Sequence, residues 1–471
     1  MYKFKMFEET ELIKMNLHVL RAIGREIGVK APASKKKEEL IRDILLIQQG
    51  KLAPEPHNNK GAPPKIDKEL LRPYLVEVGD YTEVEEVDKK LVFNDDSAKL
   101  EFVSEGILEQ HPSGFGFLRA NNYENCRDED IYVSAQNIRK YNLRRGDKVK
   151  AKAKMTGDGD SAALQEVISI NDLAPELFLN RQKFEDLVPY YPTDRIKLET
   201  DENDFSMRFI DLFVPLGMGQ RGLIVAPPKT GKTTLLKKIA NAIETNHKDV
   251  KLIVLLIDER PEEVTDIERS VKGEVVFSTF DESPEHHIKV AELVINRAKR
   301  LVEVGQNVVI LMDSITRLSR AYNNVVESSG KTLSGGLDPV ALAGPKRFFG
   351  SARNIENGGS LTILSTALIE TGSRMDDVIY EEFKGTGNME IHLSRELSER
   401  RIFPSIDLKK SGTRKEELLL SEKELNCAYK VRKFLAERTD ATDTLLEMLK
   451  KSKSNQELSA KIDVWLKLYQ N

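Results

Sequence analysis

Residues Ala226–Thr234 read APPKTGKTT and contain the Gly-Lys-Thr core of a phosphate-binding loop. An apolar stretch over Gly222–Val225 comes just before this loop and predicts a strand, and a helical pattern over Thr233–Ile243 follows it. A loop between a strand and a helix N-terminus presents backbone amides to phosphate, because those amides have no partner within the helix. The sequence therefore predicts a nucleotide triphosphate site in an α/β domain.

The residue types in this loop suit the binding of ATP together with Mg²⁺. Lys232 supplies a compact positive charge for the phosphates, and the Thr233 hydroxyl is a suitable ligand for Mg²⁺. Lys229 either touches phosphate as well or is a solvated loop lysine. Ala226 stands where the usual pattern has its first glycine, a departure that affects the expected path of the loop backbone. The predicted ATP-binding residues of the loop are Lys229, Thr230, Gly231, Lys232, Thr233 and Thr234.

Two acidic residues follow apolar strands that we expect to end at the same edge of the sheet. The strand Val308–Met312 is followed by Asp313, which fits a ligand of the Mg²⁺ shell, partly through water; the alternative is an Asp that caps the next helix. The strand Leu252–Ile257 leads to Glu259, and we expect this strand to lie beside the phosphate-loop strand. A carboxylate there could deprotonate the attacking water, so Glu259 is the predicted catalytic base.

The rest of the chain divides into regions of different pattern. Further strands at Val275–Thr279 and Leu361–Ala367, with helical periodicity between most strands, predict a parallel α/β sheet. Short strand-length segments separated by HPSG, RRGD and TGDGD predict a small closed β-barrel before it. The stretch at 51–66 is rich in Pro, Asn and Gly and is typical of a linker. The predicted domains are a helical module at 1–50, a linker or insertion at 51–100, the barrel at 101–172 and the ATPase domain at 173–471.

Composition and charge restrict the class of protein. Of the 471 residues, 40% are hydrophobic and 31% are charged, which is ordinary for a globular chain. The formal net charge of −4 means that nucleic-acid binding depends on local basic clusters. No apolar run approaches the roughly 20 residues that span a bilayer, and the N-terminus lacks a signal-peptide pattern, so we expect a cytoplasmic protein without membrane contact. The two cysteines, Cys126 and Cys427, are interpreted as structural.

One strand of the predicted barrel contains the sequence SGFGFLR at Ser113–Arg119. Phe115, Phe117 and Arg119 alternate along it and therefore share one face. Two aromatic rings beside a cation form a platform on which nucleic-acid bases stack, and Tyr132 and Arg139 are predicted to add to it. The alternative is a core aromatic pair.

Several long motifs resemble one known family. They are LLIDERPEEVTDIERSVKGEVVFSTFDE (Leu255–Glu282), VILMDSITRLSRAYN, KRFFGSARN, YEEFKGTGNMEIHLSR and SGTRKEELL, and they resemble transcription termination factor Rho. The resemblance covers about residues 101–435 and, more loosely, 9–50. It implies an α/β RecA-like P-loop ATPase domain with a parallel sheet, preceded by an OB-fold β-barrel and an N-terminal helical module. It also implies ATP and Mg²⁺ as cofactors, single-stranded RNA as a partner, a homohexameric ring, and RNA polymerase with elongation factors as further partners.

The resemblance also assigns residues to the ATP site. It implies that Glu259 is the catalytic base and that Phe403, in RIFPSID, stacks on adenine. It further implies that Arg414, in SGTRK, is an arginine finger from the adjoining subunit; a planar guanidinium suits the charge of a phosphoryl-transfer transition state. Arg260 and Arg401 are predicted neighbours of the nucleotide, with a surface ion pair as the alternative for each.

A second RNA site is implied in the hole of the ring. The segment SSGKTLSGG (Ser328–Gly336), with Lys331, resembles the central-channel loop, and TGSRMDD (Thr371–Asp377), with Arg374 at its tip, resembles a second one. Lys384 resembles a position that couples this second loop to the ATP site. Without the resemblance, both loops would be read as surface turns. The stretch TGDGDSAALQEV at 156–167 carries no aromatic residue, unlike the family, which leaves the RNA sequence preference open.

The sequence thus predicts an ATP-dependent RNA translocase or helicase that terminates transcription. A catalytic subunit of a rotary ATP synthase would share the ATPase core, but the barrel with its GFGF sequence argues against it. An RNA-binding regulator without ATP turnover would explain the barrel, but it would have no need of Lys232, Glu259 and Asp313 together with Arg414.

Overall fold

A computed structural model describes residues 101–120, 122–123, 130–155, 162–438 and 440–468, together with short stretches before residue 101. The chain divides into two compact units, Met1–Asp88 and Lys89–Asn471. The predicted linker at 51–66 lies outside the described residues.

The first unit contains a helix and a pair of short strands among its described residues. Helix α1 (Lys37–Gln48) lies in the region predicted to be a helical module, and it buries Leu40 and Ile44 four residues apart on one face. Strands β1 (Tyr2–Phe4) and β2 (Leu75–Glu77) pair antiparallel. The pairing of β2 was not predicted, because three residues are too few to show the alternation of a strand.

The predicted barrel is confirmed. Five strands of the described residues close in the order β3-β4-β5-β7-β6. They are β3 (Glu101–Gln110), β4 (Gly116–Arg119), β5 (Ile131–Val133), β6 (Lys148–Met155) and β7 (Ala162–Ile170). A short helix, α2 (Ala135–Lys140), lies between β5 and β6, and the Ser134 side chain caps it. Alternate residues of the strands, such as Val149, Ala151 and Ala153 of β6, fill the barrel interior.

The predicted α/β sheet is also confirmed. Nine strands among the described residues form it: β8 (Pro189–Tyr190), β11 (Arg221–Ala226), β12 (Lys251–Glu259), β13 (Glu274–Thr279), β14 (Asn307–Asp313), β15 (Arg353–Ile355), β16 (Ser360–Leu368), β17 (Met389–His392) and β18 (Gly412–Thr413). The main order is β13-β12-β14-β16-β11-β17-β18, and β15 joins β8 to β16. A separate pair consists of β9 (Arg195–Ile196) and β10 (Leu216–Gly217). The five longest neighbouring strands of the sheet, from β13 to β11, run parallel.

Helices cover both faces of this sheet. They are α3 (Phe205–Phe213), α4 (Lys232–Asn246), α5 (Pro261–Ser270), α6 (Pro284–Val302), α7 (Ile315–Val325), α8 (Ala343–Gly350), α9 (Arg374–Lys384), α10 (Arg395–Glu399), α11 (Glu422–Leu435), α12 (Ala441–Lys451), α13 (Asn455–Ala460) and α14 (Ile462–Leu468). Successive residues of β11 enter different apolar cores: Leu223 and Val225 one, Ile224 and Ala226 the other. This is why the strand is apolar throughout. No helix in the described part of the chain is long and apolar enough to span a membrane.

We predicted that the strand leading to Glu259 lies beside the phosphate-loop strand, and this is wrong. Strand β11 pairs with β16 and β17, whereas β12 pairs with β13 and β14, so two strands separate β11 from β12. Order along the chain does not fix order in a sheet, because a crossover helix can carry the chain past other strands. Leu256 lies level with Asp313, so β12 extends three residues further, through a bulge at Asp258, to Glu259. This extension brings Glu259 to the edge where Asp313 ends its own strand.

A buried network of ion pairs joins the barrel to the α/β domain. The side chain of Glu303, just after α6, is fully buried and lies 3.0 Å from Arg144 of the barrel, 3.6 Å from Arg181 and 2.8 Å from Arg300. Arg181 also donates to the buried Asp147 at 2.7 Å. Charges taken out of water need partners of opposite sign, so these groups fix the position of the barrel.

A second contact joins the barrel side to the edge strand β13. The Asn122 side-chain amide donates to the Phe277 carbonyl at 2.9 Å, and its oxygen accepts from the Phe277 amide at 2.8 Å. The neighbouring Tyr123 hydroxyl bonds to Glu274, and burial raises the pKa of this tyrosine well above its usual value. One asparagine side chain thus pairs with the sheet edge as a further strand would.

We predict that Glu303→Gln destabilises the protein more than a surface charge change does. The amide has the shape of the carboxylate but no charge, so it removes one of the two buried acids, Glu303 and Asp147, that neutralise the surrounding guanidinium groups. We expect the free energy of unfolding to fall by about 3 kcal/mol or more. Glu185→Gln is the control: Glu185 is exposed and pairs with Lys299 at 2.9 Å, and its loss should cost about 1 kcal/mol or less. Urea unfolding followed by circular dichroism measures both; equal losses would show that the Glu303 network does not hold the barrel.

Candidate functional site

The phosphate loop is held in shape by backbone geometry and by the chain that follows β17. Gly231 precedes α4 with φ of +83°, and Lys229 has φ of +66°. The Thr230 hydroxyl donates to the Pro227 carbonyl at 2.8 Å, and Ser405 donates to the Thr230 carbonyl at 2.8 Å. The loop thus keeps its curve although Ala226 replaces the usual glycine, and the first turn of α4 is directed at the site.

Three predicted charges meet at the carboxyl edge of the sheet. The Lys232 Nζ atom lies 2.7 Å from Asp313 and 3.7 Å from Glu259. Asp313 also accepts from the Thr366 hydroxyl at 2.8 Å, and it is buried. Its alternative as a helix cap is wrong, because Ser314 caps α7 by accepting from the Arg317 amide. The Asp313 carboxylate therefore faces the phosphate loop.

Glu259 has the properties of a general base. It is only 2% exposed, and its Oε2 atom accepts no hydrogen bond from the described residues. Burial raises the pKa of this carboxyl above its usual value, and the charge of Asp313 raises it further, while Lys232 and Arg317 oppose the shift. A carboxylate with a free oxygen and a raised pKa is suited to taking a proton from water.

Sequence reasoning missed Arg317. Its guanidinium lies 3.6 Å from Glu259 and 3.6 Å from Asp258, and it is the cation that faces these acids from α7. One turn later on the same helix, Arg320 makes two bonds of 2.8 Å to Asp376, which is buried at the start of α9. The helical spacing of the two arginines in SITRLSR was the available signal, since residues three apart share a helix face.

The predicted adenine residue lines a cavity beside the phosphate loop. This cavity of about 420 Å³ is lined by Lys229, Thr230, Gly231, Thr234, Arg401 and Phe403, among others. The Phe403 ring is 50% exposed and lies near Gly231, where a side chain would meet it at 3.8 Å. An exposed aromatic face next to a phosphate site can stack on a purine base.

Three other predicted ATP residues take separate positions. The Thr233 hydroxyl donates to Glu263 at 3.2 Å, so this hydroxyl and a carboxylate lie together at the start of α4. The exposed Arg260 lines a different cleft, of about 660 Å³, with Asp258 and Arg317.

Arg414 lies at the other end of the sheet. It follows β18, which pairs with the start of β17, and the start of β17 is level with Gly222 at the start of β11. At about 3.3 Å per residue, Arg414 is more than ~10 Å from its own phosphate loop.

The barrel brings the predicted RNA-binding aromatics together. The rings of Phe115, Phe117 and Tyr132 lie 5.8 to 5.9 Å apart, centroid to centroid. Tyr132 is 38% exposed, whereas both phenylalanines are half-buried, so they are less exposed than the sequence suggested. Arg119 lies over the Phe117 ring at 5.0 Å, but it is buried and forms ion pairs with Glu109 and Asp130. Its cation is therefore neutralised within the barrel, which sequence alternation could not reveal.

Arg139 is exposed near the end of α2, where it faces solvent. Part of the stretch that lacks an aromatic residue, 156–161, lies outside the described residues.

The two predicted channel loops lie side by side. Gly335, in the first loop, approaches the backbone of α9 so closely that a side chain would lie 2.5 Å from the Met375 amide. Ser329 of this loop donates to Asp338 through its amide and its hydroxyl, which leaves Lys331 exposed at the tip. Arg374 is exposed at the start of α9. Lys384 ends the same helix, about 15 Å further along, where it pairs with Glu381 at 3.7 Å.

Two family models match the chain. The model described as "ATP synthase alpha/beta family, nucleotide-binding domain" matches residues 206–413, and that described as "Rho termination factor, RNA-binding domain" matches residues 104–176. The first contains the phosphate loop, Glu259 and Asp313, and the second contains the aromatic cluster of the barrel. Among solved structures, an ATPase from the type III secretion system of pathogenic bacteria matches with a TM-score of 0.51 at 23% identity, over 64% of this chain and 95% of that one. This likeness concerns the fold alone.

Closer relatives share most of their length with this chain. Transcription termination factor Rho from Bacillus subtilis (strain 168) is 59% identical over 355 residues, which are 75% of this chain and 83% of the relative. Transcription termination factor Rho from Aquifex aeolicus (strain VF5) is 48% identical over 462 residues, which are 96% of this chain and 95% of the relative. With both regions matched in order and identity of this level over nearly the whole length, the chain belongs to the transcription termination factor Rho family.

Proposed function

We propose that this protein is an ATP-driven RNA translocase that terminates transcription. One observation carries the proposal: two sites lie in the same compact unit. One is the charged site at Lys232, Glu259 and Asp313, and the other is the cluster of aromatic rings in the barrel. The relatives named termination factor Rho support the same function. We further propose a homohexameric ring in the cytoplasm, with single-stranded RNA, RNA polymerase and elongation factors as partners.

ATP binds with its phosphates at the loop and its base against Phe403. The amides at the start of α4 and the Lys232 ammonium attract the β and γ phosphates. Mg²⁺ fits this site, because Thr233 and Asp313 provide a hydroxyl and a buried carboxylate, the oxygen ligands that it prefers. When bound, Mg²⁺ neutralises charge on the phosphates.

Glu259 orients the attacking water and accepts its proton during hydrolysis. Arg317 lies 3.6 Å from Oε1 of this carboxylate, whereas Lys232 lies 3.7 Å from Oε2, and Arg317 keeps the carboxylate oriented. Lys232 leaves its ion pair with Asp313 for the incoming phosphates, since their negative charge is larger. Arg414 is too far from its own phosphate loop to take part there, so we assign it to the site of the adjoining subunit.

RNA occupies two places in this scheme. Bases stack on the cluster of Phe115, Phe117 and Tyr132, which binds the RNA but does not move it. The backbone passes along the adjoining loops that carry Lys331 and Arg374, whose cations contact phosphate. Asp376 lies two residues after Arg374 and pairs with Arg320 on α7. A movement of the loop that carries Arg374 would therefore also move α7, the helix that carries Arg317. A rotary ATP synthase subunit would need no aromatic barrel of this kind.

We predict that Glu259→Gln abolishes turnover but not ATP binding. The amide keeps the side-chain shape but cannot take a proton, so the rate of ATP hydrolysis should fall roughly 10²- to 10⁴-fold. Glu268→Gln, an exposed change on α5, is the control and should leave the rate unchanged. Phosphate release measures the rate, and a fluorescent ATP analogue measures binding. Binding that falls as far as the rate would assign Glu259 to structure instead.

We predict that Lys232→Ala and Arg414→Ala are each inactive and that their mixture regains ATPase activity. In rings mixed at equal amounts, about a quarter of the junctions would combine an intact loop with an intact neighbouring arginine. The matched control is a mixture of Lys232→Ala with Glu259→Gln, in which both changes damage the same half of the junction, so no intact site forms. If mixed rings form and both mixtures are equally inactive, Arg414 does not act across the interface.

We predict that Phe117→Ala and Lys331→Ala fail in different ways. Loss of one stacking surface weakens RNA binding roughly 5- to 150-fold, so saturating RNA should restore the ATPase activity of Phe117→Ala. Lys331→Ala should bind RNA almost normally while its RNA-stimulated hydrolysis falls, and excess RNA should not restore it. Fluorescence anisotropy and phosphate release, titrated with poly(C) at fixed salt, measure both effects. If excess RNA restores the activity of Lys331→Ala but not that of Phe117→Ala, the roles assigned to the two RNA sites are reversed.

A further inference from the structure

A fourth ring adjoins the aromatic cluster of the barrel. The His111 imidazole lies 4.6 Å from the Phe115 ring, centroid to centroid, and only 13° from parallel. The other ring pairs of the cluster are 5.8 Å or more apart and tilted or edge-on. His111 is therefore the one ring of this group that is stacked face to face on a neighbour, and it is exposed.

The backbone fixes the position from which this ring projects. His111 lies in the tight hairpin between β3 and β4, where its amide donates to the Phe115 carbonyl at 2.7 Å. Its own carbonyl accepts from the Gly114 amide at 2.9 Å. Neither of these two bonds involves the side chain, so both can form when the side chain is changed.

One more bond sets the orientation of the ring. The Ser113 amide donates to His111 Nδ1 at 3.2 Å. A neutral imidazole whose Nδ1 accepts must carry its proton on Nε2, so the hydrogen-bond donor is on the other nitrogen. The ring thus offers an exposed aromatic face and a donor at its edge.

We propose that His111 forms an additional nucleotide subsite, in which one base of single-stranded RNA stacks on the outer face of its ring. This inference rests on the proposed RNA-binding function of the barrel. His111 covers one face of Phe115, so a base cannot use that face; it can only continue the stack on the imidazole. The Nε2–H group donates to a base or phosphate oxygen of the same nucleotide. The platform therefore holds one more nucleotide than Phe115, Phe117 and Tyr132 do alone.

The opposite possibility is that His111 occupies the place of a base and that RNA must displace it. These two possibilities predict opposite effects on RNA affinity. Removal of the ring weakens RNA binding if His111 is part of the platform, and it strengthens binding if His111 blocks Phe115.

The test measures RNA affinity of the full-length protein by fluorescence anisotropy, using oligocytidines that lengthen by one nucleotide at a time. We expect His111→Ala to bind the longer oligonucleotides at least about 5-fold more weakly than the unchanged protein, while affinity for the shortest ones stays the same. His111→Phe should keep most of the affinity, because it preserves the stack. The dependence of affinity on salt should not change in His111→Ala, since stacking releases no counterions. Tyr429→Ala, which removes an exposed ring of α11, is the control and should have no effect.

Three results would overturn the inference. If His111→Ala binds every length as tightly as the unchanged protein or more tightly, while Phe117→Ala binds weakly, the barrel binds RNA but His111 is no subsite. If His111→Phe loses as much affinity as His111→Ala although both have the thermal midpoint of the unchanged protein, the ring face does not stack. If the unchanged protein binds no oligonucleotide, the proposed RNA-binding function fails, and this inference fails with it.

Discussion

Two buried carboxylates at one edge of the sheet share one ammonium group, and one of them also faces a guanidinium, that of Arg317. Asp313 and Glu259 lie where water cannot screen their repulsion, and Lys232 compensates it from the start of α4. The placement of all three requires the curved phosphate loop, the end of β14 and the long, bulged β12. In this state the lysine is shared between two acids. Under the proposed function, a bound triphosphate would compete for this lysine, so nucleotide binding would change the charge around Glu259.

Local features of the site could be read from the sequence because they depend on neighbouring residues. The loop at Ala226–Thr234, the strands of the sheet and the barrel follow from periodicity and turn residues, and the structure has them. The strand order could not be predicted in the same way. Glu259 reaches the site through a bulge and three extra residues of β12 rather than by adjacency to β11, and no local pattern records such a detail.

Side-chain environment was the other part that the sequence could not supply. Alternation correctly placed Arg119 beside Phe117, yet its ion pairs with Glu109 and Asp130 depend on how β4 pairs with its neighbours β3 and β5. Arg317 lies next to Glu259 only because α7 follows β14 at the same sheet edge. Residues that belong to a sequence motif were found from the sequence. Residues that contact the motif from elsewhere in the chain were not.

The pairing of Asn122 with Phe277 has a consequence for solubility. Strand β13 ends the sheet, and an open strand edge is a template to which a strand of another molecule can add. Here the side-chain amide of Asn122 occupies the backbone donor and acceptor of Phe277 near the middle of that edge. Removal of the barrel would therefore do more than remove an RNA-binding surface. It would uncover a sheet edge and leave the ATPase region more prone to aggregate.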